Sequence, residues 1–178
     1  MNEKEYTEKI KKEMGLFEKI ISYIPGYRGY KEKEIRRESD RLVRMEVVNR
    51  LKATKNTIRR KFANPTVIQK LSNEDSWRLE TLMSRLDRVT QRIDKAVAGY
   101  AGIFDAIKVK EDKLDDIIQY DLNLIEKTES LKADTEKIIS MEPGENEWRN
   151  SMDELISKIE EIDDFINKRS EILRGLVK

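Results

Sequence analysis

The sequence contains no cysteine and no histidine among its 178 residues. Disulfide bonds are therefore excluded, as is catalysis by a cysteine–histidine or serine–histidine pair. An ordinary zinc site and a di-iron bundle with its Glu-x-x-His motif are excluded for the same reason. The seven glycines form neither a dinucleotide-binding loop nor a P-loop. We therefore predict a protein that has no cofactor and is not an enzyme.

One catalytic alternative needs only carboxylates, because Mg²⁺ prefers oxygen ligands. Acidic residues three positions apart share a helix face and could share a metal ion. Such pairs are Glu126 with Glu129, Glu160 with Asp163, and Glu161 with Asp164. The spacing resembles that of all-α nucleotide pyrophosphohydrolases, which implies Mg²⁺-dependent nucleotide hydrolysis. A chain with 35 acidic residues produces such pairs freely, however, so a solvated helix face is the simpler interpretation.

Aromatic residues make up only 7% of the chain and hydrophobic residues 38%, whereas 40% of the residues are charged. This balance favours helices with a narrow apolar stripe and a wide solvated face. No apolar run approaches the roughly 20 residues of a membrane span, and the polar residues 1–12 are no secretory signal. We expect a cytoplasmic protein, with a peripheral membrane location as the alternative. Abundant lysine, glutamate and isoleucine are typical of a thermophile.

Apolar residues recur at helical spacing, and no stretch alternates with the two-residue period of a strand. The clearest pattern occupies residues 79–107, where every a and d position of four heptads is apolar. These positions are Leu79, Leu82, Leu86, Val89, Ile93, Ala96, Tyr100, Ile103 and Ile107. This seam predicts coiled-coil-like packing, either within the chain or partly against a second copy. The small residues within 98–106 predict close approach of a neighbouring backbone.

Turn signals divide the chain into about five long helices, predicted at residues 3–23, 31–61, 73–107, 111–140 and 147–174. Pro25-Gly26 ends the first helix, Asn64-Pro65 starts a short turn, and Ser72 with Asp75 forms a capping box. The predicted fold class is all-α, an elongated antiparallel helical bundle. We predict a basic N-terminal helical hairpin over residues 1–63. An antiparallel three-helix bundle is predicted over residues 64–178.

Polar residues interrupt the apolar columns of the last two helices. The column that begins at Leu114 continues with Asp121, Thr128 and Thr135, and Arg169 interrupts a column of the final helix. The interruptions at Asp121, Thr128 and Thr135 predict that helix 111–140 is less deeply packed than helix 73–107.

The net charge of +1 conceals two halves of opposite sign. Residues 28–63 hold 13 Lys and Arg against 5 Asp and Glu, a net +8, whereas residues 111–178 hold 10 against 19, a net −9. The basic and acidic helices either neutralise each other side by side or leave a basic face for an anionic partner. The candidate partner-binding residues are Tyr27, Arg28, Tyr30, Lys33, Arg36, Arg37, Arg41 and Arg44.

Those residues join a tyrosine-rich corner to a basic helical run. Tyrosine offers a large amphipathic contact, and arginine suits bidentate contact with phosphate. Local pairing with the interspersed acids is the competing interpretation. A second candidate surface is the apolar face of the first helix, which could face a membrane or pack on the bundle. Its residues are Leu16, Phe17, Ile20, Ile21 and Ile24.

Residues 24–44 contain the stretch I-P-G-Y-R-G-Y-K-E-K-E-I-R-R-E-S-D-R-L-V-R. It resembles the opening of uncharacterised all-helical proteins of prokaryotes, which have an I-P-G-Y-x-G-Y corner after a short amphipathic helix. Residues 99–105 resemble them as well. The resemblance implies a helical fold and no activity. The plan of an amphipathic helix followed by long charged helices is also similar to phage-shock-type membrane-remodelling proteins, although their motifs are not matched.

From these features we expect a non-enzymatic helical interaction or scaffold protein with a protein partner. The alternative is binding to a membrane or another anionic surface through the first helix and the basic run. Nucleic-acid binding through residues 28–60 is a third hypothesis, which requires a steep salt dependence.

Overall fold

The computed structural model describes residues 14–29, 33–95 and 111–173. Helices joined by turns account for all of this part of the chain, so the predicted all-α helical bundle is confirmed. The helices are α1 (14–23), α2 (Lys33–Phe62), α3 (Pro65–Ile68), α4 (Asn73–Lys95), α5 (Glu111–Ser140) and α6 (Asn146–Leu173). No helix in the described ranges combines the length and the apolar character needed to cross a membrane.

The local signals at the helix ends are present as predicted. The side chain of Asn64 accepts a hydrogen bond from the backbone N–H of Thr66 at 3.0 Å, and Pro65 occupies the first turn of α3. At the start of α4, the backbone N–H of Asp75 donates to the hydroxyl of Ser72 at 3.1 Å, and that hydroxyl donates to the Asp75 carboxylate at 2.8 Å. Both contacts satisfy polar groups that a helix terminus leaves without partners.

The four long helices form a square in which α2 and α6 each pack against both α4 and α5. In the described ranges α4 and α5 lie at opposite corners, although their order in the chain predicts adjacent helices. Ion pairs of Lys52 with Asp94 and of Lys55 with Asp87 show that α2 and α4 run antiparallel. Ion pairs also show that α5 and α6 run antiparallel, whereas α4 and α6 run parallel. The neighbouring helices α2 and α5 are therefore parallel.

A single apolar core runs through this square, and α2 contributes to it as fully as the later helices do. Val43, Val47 and Leu51 of α2 are completely buried, as are Leu82 and Leu86 of α4. Helix α2, the second helix of the predicted N-terminal hairpin, therefore packs along α4 and α5. The reason is that α2 carries a continuous apolar stripe, which is more stable inside the core than in water.

The heptad seam of α4 packs into the core, with Leu82, Leu86, Val89 and Ile93 buried; its residues 96–107 lie outside the described part of the chain. The expectation that α5 is less deeply packed is wrong, because its polar column is buried too. That column comprises Asp121, Thr128 and Thr135. The two threonine hydroxyls donate to the backbone carbonyls of Ile125 and Leu131 at 2.8 and 2.9 Å. A satisfied hydroxyl can be buried at little cost.

Helix α1 packs against α2 and α5. Lys19 forms an ion pair with Glu126 of α5 at 2.9 Å, and the guanidinium of Arg50 in α2 lies 5.2 Å from the centre of the Tyr23 ring. After α1, Gly26 and Gly29 adopt positive φ angles of 92° and 76°, which turn the chain towards α2.

Candidate functional site

Two residues of the predicted partner-binding set lie in the interior, so their assignment to a docking surface is corrected. Tyr27 is only 2% exposed; its hydroxyl donates to Asp121 at 3.2 Å, and its ring lies 5.5 Å from that of Phe17. Arg44 is 8% exposed and donates through Nε to Asp40 at 2.8 Å. Both side chains are drawn inward because a buried carboxylate is available to each of them.

Of the other residues of that set, the structure describes the side chains of Arg28 and Arg41. Arg28 is exposed. Arg41 is also exposed, but its guanidinium binds both carboxylate oxygens of Glu38 at 2.6 and 3.0 Å. Tyr30 and the side chains of Lys33, Arg36 and Arg37 lie outside the described residues.

The predicted membrane-facing residues of α1 divide between the core and the surface. Ile20 and Ile24 are 0% and 4% exposed, so neither faces outward in this structure, which corrects their assignment. Leu16 and Phe17 are half-buried against the core, and only Ile21, at 39%, is exposed. The apolar stripe that would enter a lipid surface is the stripe that packs against α2 and α5.

A buried ionic layer connects three of the four long helices. Arg169 of α6 donates through Nε to Asp121 at 2.6 Å and through Nη1 to Asp40 at 2.7 Å. Asp40 also accepts from Arg44, so two carboxylates meet two guanidiniums in this layer. Mutual pairing offsets the cost of removing these charges from water. This layer, formed by Asp40, Arg44, Asp121 and Arg169, holds α2, α5 and α6 in register.

A second polar cluster ties the start of α4 to the start of α6. Arg149 donates through Nε and Nη2 to the two carboxylate oxygens of Asp75 at 2.7 and 2.9 Å. The pKa of Asp75 is held well below its usual range, chiefly by these Arg149 hydrogen bonds; burial opposes the shift and the Ser72 hydroxyl adds to it. Like the ionic layer, the cluster is a structural device that fixes helix positions.

The carboxylates considered for Mg²⁺ are mostly engaged with basic side chains. Glu126 pairs with Lys19, Glu129 with Arg50, Glu160 with Arg85, Glu161 with Lys127, and Asp163 with Arg92. Within the described ranges, no three or more acidic side chains converge into a group that could hold a metal ion. The geometry therefore adds nothing in favour of a metal centre at these pairs.

The outer face of α4 carries a surface that the sequence reasoning missed. Trp77 is 65% exposed, the most exposed of the large hydrophobic side chains described. It borders an open depression of about 450 Å³, lined by Trp77, Glu80, Thr81, Ser84, Arg85 and Arg88. The heptad register could have revealed this surface. Trp77 falls outside the a and d positions of the seam, so its side chain points away from the core.

Comparisons of the chain with protein-family models, with curated proteins and with solved structures gave no match. No relative therefore indicates a substrate, a partner or an assembly.

Proposed function

We propose that this chain is a non-enzymatic helical interaction protein that binds a protein partner on the outer face of α4. The observation that carries the proposal is the exposure of Trp77, at 65%. An indole ring left in water forgoes the free energy of burying a large apolar surface. Tryptophan and arginine are also the residues most enriched at the energetic centres of protein interfaces.

The surroundings of Trp77 support a docking role. Thr81 and Ser84 have short side chains, and they line the depression together with the indole ring and the arginines of the next turns. Arg85 pairs with Glu160 of α6, and Arg88 lies 3.7 Å from Asp163. The Glu160 contact orients the Arg85 guanidinium before a partner arrives, which reduces the entropy lost on binding.

The bundle beneath this surface is suited to a scaffold. Arg78 and Arg85 of α4, which are seven residues apart, form a ladder of ion pairs with α6. Arg78 pairs with Asp153, and Arg85 pairs with Glu160 seven residues further on. This ladder and the Asp75–Arg149 contact join α4 to α6 along most of its length. A surface on a helix braced in this way keeps its shape without a partner.

The test uses Trp77→Ala and a matched control, Ile68→Ala, which truncates another exposed apolar side chain, 49% accessible and on α3. The wild-type chain is isolated from its native lysate, the co-purifying protein is identified by mass spectrometry, and its affinity for each variant is measured. Loss of a hot-spot residue costs 2 kcal/mol or more, so we expect Trp77→Ala to weaken binding by about 30-fold or more. Ile68→Ala should bind as the wild type does.

Equal affinity for Trp77→Ala and the wild type would refute the proposed surface. Turnover of a nucleotide with Mg²⁺ by the purified chain would refute the non-enzymatic assignment. The alternative, binding to an anionic membrane, requires Ile20 and Ile24 to leave the core. We therefore expect the wild type not to float with phosphatidylserine vesicles at low salt, and salt-sensitive co-flotation would favour the alternative.

A further inference from the structure

Most of the arginine side chains that the structure describes are paired with carboxylates. Nine described arginine side chains form ion pairs, on helices α2, α4 and α6: Arg41, Arg44, Arg50, Arg78, Arg85, Arg88, Arg92, Arg149 and Arg169. Arg59 and Arg60, adjacent in the last turn of α2, are exceptions. Both are exposed, and no carboxylate of the described chain lies within ion-pair distance of either.

These two arginines belong to a longer segment of α2 that contains basic residues and no acidic ones. Residues 47–63 hold six Lys and Arg and no Asp or Glu. The exposed positions of this half of α2 recur every three or four residues, so they form one stripe: Asn49, Lys52, Ala53, Asn56, Arg59 and Arg60. It extends for about 16 Å along the helix. The carboxylates at its edge, Asp87 and Asp94, face Lys55 and Lys52.

The composition of this stripe distinguishes between classes of anionic partner. Protein interfaces need a buried apolar or aromatic centre, and membrane-surface helices need bulky apolar side chains. The stripe offers only Ala53 between guanidinium, ammonium and amide groups. Such groups are the usual donors to phosphate oxygens, and they need no apolar anchor. The stripe also has no aromatic residue on which an unpaired base could stack.

We propose that this face of α2 binds the phosphate backbone of a double-stranded nucleic acid, independently of base sequence. Arg59 and Arg60 supply bidentate contacts, Lys52 supplies a point charge about two turns earlier, and the short side chains of Ala53 and Asn56 allow the phosphate backbone to approach. The partial negative charge at the end of α2 stabilises cations there. This helix-end effect concerns the last turn only. It does not explain why the preceding residues 47–58 contain no carboxylate.

The experiment measures the fluorescence anisotropy of a labelled 30-base-pair duplex DNA with the full chain, between 20 and 200 mM salt. Three cations on phosphates predict a slope of log affinity against log salt of about −2.7. For Arg59→Gln/Arg60→Gln we expect a slope of about −0.9, because Lys52 remains, and an affinity at 50 mM salt at least about 10-fold lower. The matched control is Lys132→Gln/Lys137→Gln, which removes two exposed charges from α5 and should keep the wild-type affinity.

Several outcomes overturn the proposal. They are absence of duplex binding at 20 mM salt, equal losses in the two double variants, and tighter binding of a single strand of the same length. A further contrary outcome is that the wild type binds phosphatidylserine vesicles or polyglutamate and not the duplex. If Arg59→Gln/Arg60→Gln abolished that binding, the proposal would be overturned in favour of a lipid partner or a protein partner, respectively. Trp77→Ala should keep the duplex affinity, so this proposal and the protein-docking proposal can fail separately.

Discussion

Arg169 of α6 and Asp121 of α5 form an ion pair at 2.6 Å inside the bundle, and each interrupts an apolar column of its own helix. The two interruptions therefore compensate each other. Arg169 also reaches Asp40 on the opposite helix of the square, α2. Any slippage of one helix would leave a buried charge without its partner, so the ionic layer disfavours other registers.

The first prediction concerns the energetics of this pair. Arg169→Met alone should lower the free energy of unfolding by about 3–5 kcal/mol, because it removes the guanidinium that pairs with the Asp121 carboxylate in the core. Asp121→Leu alone should also be destabilising, because it removes one of the two carboxylates that bind the buried Arg169 guanidinium. The loss of unfolding free energy in the double variant should be much smaller than the sum of the two single losses, because Asp40 keeps its contact with Arg44 at 2.8 Å. Urea unfolding of the four proteins measures this double-mutant cycle.

Arg41→Gln is the control for that cycle. It removes an arginine ion pair with Glu38 that is exposed to solvent, and we expect no measurable change in unfolding. Strict additivity of Arg169→Met and Asp121→Leu would show that the two charges are not coupled and would contradict the role assigned to the layer.

The second prediction is a pH dependence that arises from Asp75. Its pKa is lowered in the folded state, chiefly by Arg149, so folding favours the ionised carboxylate. The resulting stability is fully present above the unfolded pKa, about 3.9. It is lost as the pH falls below that value towards the folded pKa. In Asp75→Asn, urea midpoints should therefore change less between pH 5 and pH 2 than in the wild type.

Arg149→Gln tests the cause of that effect, since it removes the main source of the shift and keeps the carboxylate. It should reduce the same pH dependence while leaving the capping contact with Ser72 in place. An unchanged pH dependence in both variants would rule out this cluster as a source of acid sensitivity.

Local features of the fold were predictable because they depend on residues close in the chain. The contacts of Asn64 and of Ser72 with Asp75 involve residues two and three positions apart, and the apolar periodicity of residues 79–93 reports one helix face. Helix ends and core-facing positions follow from such spacings. They do not decide which helices become neighbours.

The arrangement of the helices depends on partners far apart in the sequence. Asp121 and Arg169 could each be recognised as interruptions, but their pairing is a contact across 48 residues that no periodicity encodes. Tyr27 and Arg44 look like surface residues beside a basic run, and only the buried acids Asp121 and Asp40 account for their positions. The outward Trp77 could have been found from the heptad register alone.

The third prediction compares two glycines. Gly144, before α6, has a φ of +89°, and a Cβ there would lie 3.3 Å from the backbone carbonyl oxygen of Lys70. Gly144→Ala should therefore destabilise the fold by about 1–2 kcal/mol or more. Gly15 lies in α1, and a Cβ added there would meet no atom within 4 Å, so Gly15→Ala should be neutral or stabilising by up to about 1 kcal/mol. Thermal unfolding of both variants checks the contrast, and equal midpoints would contradict it.

The last prediction separates packing from hydrogen bonding at Trp148, which is fully buried with its ring 6.0 Å from that of Phe62. The indole N–H has no hydrogen-bond acceptor among the described residues, so replacement of the ring by another aromatic forfeits no such bond. Trp148→Ala should cost about 3–5 kcal/mol, and Trp148→Phe clearly less.

Fluorescence gives a second readout, because the chain has only two tryptophans. Removal of Trp148 leaves Trp77, which is exposed, so the emission of Trp148→Phe should shift to the red and become fully accessible to iodide. Trp77→Phe should leave a blue-shifted emission that iodide does not reach. If Trp148→Phe were as destabilising as Trp148→Ala, the indole N–H would have a polar partner after all, and packing alone would not account for the conformation of Trp148.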